Sequence, residues 1–111
     1  MLAAVEPHRL AEERSIAYHR AVAARLEREP AVLVQARARV RAWLVQDTPP
    51  HYARAWDEVL SWPVSRIVEF LVDPGERARE LRQSTPFAGA VPPRERWRIW
   101  RDARAQAERT P

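Results

Sequence analysis

Apolar residues recur along this chain at every third or fourth position and show no one-by-one alternation, which is the period of helices and not of strands. Prolines at positions 30, 49–50, 63, 74, 86 and 92–93 cut that pattern into segments. Proline suits the first turn of a helix and breaks its interior, so each cut marks a helix boundary. The expected fold is all-α: a single compact domain over residues 1–111 with about five to six helices. Residues 1–9 and 108–111 are expected to be flexible.

The first helix is predicted from Pro7 or Leu10 to about Arg28. Ala11, Ser15, Tyr18, Val22 and Leu26 line one face, with Ile16 and Ala23 beside it. The second, over residues 31–46, is the most apolar. Leu33, Ala36, Val40, Trp43 and Leu44 form its main stripe; Val34, Ala38, Ala42 and Val45 form another on the back, with Arg37 and Arg41 between. A helix apolar on two sides is either buried centrally or shared with a partner. Val34, Ala38 and Val45 are spaced as a helix-pairing seam would be, and mark a candidate oligomer face.

Thr48 is a plausible N-cap for the third helix, with Pro49 at its first position. Tyr52, Trp56, Val59 and Leu60 would face inward. Pro63 opens a short fourth helix with Val64, Ile67, Val68, Leu71 and Val72 inward. The run Asp73-Pro74-Gly75-Glu76 has the form of a capping box, with Asp73 as cap and Glu76 as its reciprocal partner. That helix should end near Gln83, burying Ala78 and Leu81. Residues 84–91 have no period, and Phe87, their only bulky side chain, is expected to plug the core. The closing helix begins at Pro92-Pro93 and runs to about Ala107.

Composition adds limits. There is no cysteine, which excludes disulfides and thiolate metal sites and fits a reducing compartment. The start, MLAAVEPHRLAEER, has no long apolar run and carries three acids, so it reads as neither signal peptide nor membrane anchor. The expected location is cytoplasmic, with no membrane partner. All 19 basic residues are arginine, which a GC-rich coding bias explains. The physical consequence is bidentate pairing with carboxylate or phosphate and stacking on aromatic rings. Net charge is +4, and residues 92–111 hold six arginines against three acids, so the basic excess lies on the last helix.

No residue set points to catalysis. His8, His19 and His51 lack the spacing of a helical metal site, two glycines cannot make a phosphate-cradling loop, and no Ser–His–Asp arrangement is suggested. Asp57-Glu58 reads as a solvated acidic pair. No cofactor or metal is expected, and the protein is not expected to be an enzyme. The informative stretch is residues 81–104. On its helix Arg94, Arg98, Arg101 and Arg109 share one stripe, while Trp97, Trp100, Ala103 and Ala107 lie on the other side. Two readings follow. The tryptophans are core and the arginines solvated, or both form a recognition surface, since Trp and Arg are enriched at interface hot spots. An arginine stripe can also track phosphates, although Glu95, Asp102 and Glu108 interrupt it.

Arg14 and His19, five apart, resemble the arginine–histidine pair of the HEPN ribonucleases, small helical proteins in which those side chains act on RNA. In that family the pair lies in a late helix; here it lies in the first.

Two segments resemble a family of short bacterial proteins. The first, Ser15 to Trp43, holds HR at His19-Arg20, RL at Arg25-Leu26 and EP at Glu29-Pro30, and closes in RAWL. The second is LRQSTPFAG from Leu81 to Gly89, followed by PRERWRIWR from Pro93 to Arg101. Such proteins are similar to the small, antitoxin-like partner of two-gene toxin–antitoxin modules. The resemblance implies a protein that binds and neutralises a second bacterial protein and is not an enzyme, and it supplies no catalytic residues to carry over. Under it, Phe87, Trp97 and Trp100 are candidate anchors, and Arg82, Arg94, Arg98 and Arg101 candidate polar contacts. The alternatives are a DNA- or RNA-binding regulator using the arginine stripe and a ribonuclease using Arg14 and His19.

Overall fold

The computed structural model describes residues 6–109 and is all-α, with six helices and no strand among them. In chain order they are α1 (Pro7–Leu26), α2 (Pro30–Leu44), α3 (Ala53–Val59), α4 (Val64–Leu71), α5 (Glu76–Arg82) and α6 (Pro93–Arg109). Of the ends expected to be flexible, residues 7–9 and 108–109 are helical; residues 1–5 and 110–111 lie outside the described residues. None of the described helices is long and apolar enough to cross a membrane.

Helix starts follow proline as expected, but two caps differ. α1 is capped by Glu6, whose carboxylate accepts from the backbone N–H groups of His8 (3.0 Å) and Arg9 (2.9 Å). Those two bonds hold the Glu6 carboxyl below its ordinary value. Thr48 caps nothing, because α3 begins only after Tyr52 and residues 48–52 form the turns before it. Nor is Asp73 the cap of α5. That helix starts at Glu76, its N-cap is Gly75, and no side chain satisfies its first turn. Asp73 instead closes a tight turn, accepting from the Gly75 N–H at 2.6 Å. A Cβ on Gly75 would lie 2.9 Å from that carboxylate oxygen, so a larger residue there would displace the Asp73 side chain from the turn.

The core is built around Trp56, which is fully buried. Its ring meets Phe70 and Phe87 edge to face, each at 6.2 Å, and its indole N–H donates to the Leu81 carbonyl at 3.2 Å. Val22 and Leu26 of α1, Val40 of α2, and Ile67 and Leu71 of α4 complete it. Phe87 plugs this core as expected.

α2 is not buried centrally. Val32, Leu33, Ala36 and Val40 face inward, but the back strip is open: Val34 is 59% exposed and Val45 82%. Among the described helices, α1 and α3 pack on the inward side of α2. Arg37, between the two strips, turns its guanidinium to the Leu60 carbonyl (2.8 and 3.1 Å).

Residues 84–91 form a strapped loop. The Tyr18 hydroxyl donates to the Phe87 carbonyl at 2.6 Å, and Arg39 donates to the carbonyls of Pro86 (3.3 Å) and Ala88 (2.8 Å). Gly89, at φ +84°, supplies the left-handed residue that lets the chain turn into α6. The loop therefore carries α6 back onto α1 at a defined height. α1 and α6 run side by side in opposite directions: Arg25, near the end of α1, pairs with Glu95 at the start of α6, and Arg14 earlier in α1 meets Trp100.

Candidate functional site

Ala103 and Ala107 bring α6 close to α1, and Ile99 adds to that seam. The two tryptophans do not enter it. Trp97 is 60% exposed and Trp100 46% exposed, so the reading of both as core residues is set aside. At 100° per residue Trp100 borders the buried alanine face, Trp97 lies a step further out, and Arg94, Arg98 and Arg101 lie beyond it. All three arginines are exposed, and none makes a hydrogen bond or ion pair among the described residues. Of the three acids that interrupt the stripe, Glu95 pairs with Arg25 and Glu108 with Arg104.

Arg82 and Phe87 are corrected as contact residues. Phe87 is wholly buried against Trp56, and Arg82 is 3% exposed. Arg82 donates to the carbonyls of Leu71 (3.2 Å) and Asp73 (2.7 Å), tying α5 to the end of α4. Burial lowers its pKa, with Asp73 acting in the opposite direction.

Between α1 and α6 opens a cavity of about 590 Å³. Its apolar wall is Pro7, Leu10, Tyr18, Trp97 and Trp100. Its polar wall is Arg14, Arg82 and Arg96, with Ser15, His19 and Thr85 deeper in. The Arg14 guanidinium stacks on the Trp100 ring, 4.3 Å from its centroid. The Nε atoms of Arg14 and Arg82 are buried and have no partner.

His19 is the residue the sequence reading undervalued. It is 1% exposed, and both ring nitrogens are engaged. Nδ1 lies 2.7 Å from the Ser15 carbonyl, which can only accept, so Nδ1 carries the proton. Nε2, 2.9 Å from the Thr85 hydroxyl, is then the acceptor. Burial pushes the imidazole down to about 4, and the positive charge of Arg82 adds to this, against the Ser15 bond. It is a neutral strut joining α1 to the loop. The structure thus places Arg14 and His19 on one cavity, but His19 has no free nitrogen for acid–base work. The one available signal was its place on the inward face of α1, one step from Tyr18 and Val22.

Among the described residues no group of side chains could hold a metal ion. No family model, curated protein or solved structure matches the chain. The functional reading therefore stands on the geometry of α6 and the α1–α6 cavity.

Proposed function

We propose that this protein is a helical binding module for a second bacterial protein, acting in the antitoxin-like manner of covering its partner's working surface. One observation carries the reading: Trp97 stands 60% exposed beside three arginines that form no ion pair among the described residues. Leaving a tryptophan in water forgoes its burial, roughly 2–3 kcal/mol for a large apolar side chain, and contiguous apolar surface of this kind marks interaction sites. An aromatic ringed by arginine is the composition of a binding hot spot. The unpaired guanidinium groups call for an acidic partner surface with an apolar recess for the indole.

The test is a calorimetric titration against the product of the neighbouring gene, beside a melting curve. Arg98→Glu with Arg101→Glu should leave melting nearly unchanged, because both side chains are exposed, and should abolish binding through like-charge repulsion. Trp97→Ala should fold and lose about 2 kcal/mol or more of binding. A folded Arg98→Glu, Arg101→Glu protein that binds at wild-type affinity would remove this face from the interface.

A further inference from the structure

The α1–α6 cavity differs in kind from the docking face. Its opening is rimmed by Trp97 and Trp100, but its inner wall belongs to α1, α5 and the strapped loop. Three guanidinium groups, those of Arg14, Arg82 and Arg96, line it, and no carboxylate among the described residues does. Outside it, Glu95 pairs with Arg25 and Glu12 with Arg79 (3.3 Å), while Asp73 and Glu12 also act on the charge of Arg82. Arg82 is buried, and its Nε, like that of Arg14, has no partner. Three like charges on one wall repel one another, and an anion in the cavity would offset them.

The remaining walls decide what kind of anion. Tyr18, Trp97 and Trp100 present aromatic surface, and the Arg14 guanidinium lies over the Trp100 ring, 4.3 Å from its centroid. A small hydrated ion would leave that surface wet. At about 590 Å³ the cavity falls within the range of small-molecule sites, roughly 300–1,000 Å³, and its mixture of apolar walls with a few convergent polar groups is theirs too. We infer that the α1–α6 cavity is a binding site for a low-molecular-weight aromatic oxyanion, whose planar body lies among Tyr18, Trp97 and Trp100 and whose charged end meets Arg14, Arg82 and Arg96.

The site goes beyond the protein-docking reading, and its test contains no partner protein, so each can fail without the other. The probes are naphthoate, its neutral isostere naphthamide, naphthyl phosphate and inorganic phosphate, titrated calorimetrically into the full chain. Naphthoate or naphthyl phosphate should bind saturably, and naphthamide at least about tenfold more weakly, the usual effect of losing a charge-assisted hydrogen bond. The stronger of the two anions identifies the headgroup as carboxylate or phosphate. Arg14→Gln and Arg96→Gln should each weaken the anion about tenfold while leaving naphthamide unchanged. Three results overturn the site: no saturable binding of either aromatic anion at millimolar concentration, naphthamide binding as tightly as naphthoate, or inorganic phosphate binding as tightly as naphthyl phosphate. The comparison among probes uses the wild-type protein alone, so it stands even if a variant fails to fold.

Discussion

The Thr85 hydroxyl donates to His19 Nε2 at 2.9 Å, across 66 residues of chain, and the same oxygen accepts from the Phe87 N–H at 3.1 Å. A neutral histidine in α1 thereby holds the loop that seats Phe87 in the core and sets the start of α6. The cavity and the exposed tryptophans depend on where that loop is pinned.

Stability should fall in acid because His19 is buried in its neutral form. The His19 pKa is about 4 in the folded protein, below its ordinary value of 6.5. Between those values the unfolded chain binds a proton that the folded chain refuses. The contribution is therefore complete above about pH 6.5 and is lost as pH falls towards 4. The full shift corresponds to about 3 kcal/mol. Urea denaturation at a series of pH values should show this loss, and His19→Gln should flatten it over the same window. An equal slope in both proteins would mean that His19 does not titrate as described.

Thr85→Val keeps the shape of the side chain but orphans both His19 Nε2 and the Phe87 N–H. Leaving buried polar groups unmatched costs about 1–3 kcal/mol each, so the denaturation midpoint should drop clearly with no change in slope. A midpoint equal to wild type would show that the strap is dispensable.

The tryptophans should separate by burial. Trp56→Ala removes the centre of the core and should cost about 3–5 kcal/mol, enough to unfold a domain of this size. Trp97→Ala, at a site 60% exposed, should cost under about 1 kcal/mol. Circular dichroism melting of the two variants gives the comparison directly, and a Trp97→Ala protein that unfolds would place that ring in the core.

The open back of α2 makes its own prediction. Val34 is 59% exposed, so Val34→Glu should keep the melting temperature of the monomeric fold. Sedimentation of the wild type should show a self-associated species that Val34→Glu converts to monomer, the behaviour of a seam through Val34, Ala38 and Val45. Identical sedimentation of both proteins would leave this strip without a role in self-association.

Local chemistry decided most of the architecture. Three-to-four periodicity and proline punctuation settle the all-α class, a count of five to six helices and the inward faces of Trp56, Ile67, Leu71 and Leu81, because these depend only on residues a turn apart. Phe87 was legible as a core plug for the same reason: a lone bulky ring in a polar loop has nowhere else to go. Other features depended on distant parts of the chain. Thr48 and Asp73 have the right side chains for caps, but the path of the chain starts each helix later. The back of α2 stays open and Trp97 stays in water because periodicity marks which faces are apolar, while only the number and placement of neighbouring helices decides which are covered. His19 shows the limit most plainly. Its burial and its proton position come from Thr85 and the loop around Phe87, residues that no local spacing connects to it. The cavity belongs to the same class, since Arg14, Arg82 and Arg96 come from three helices and meet only when the loop returns α6 to α1.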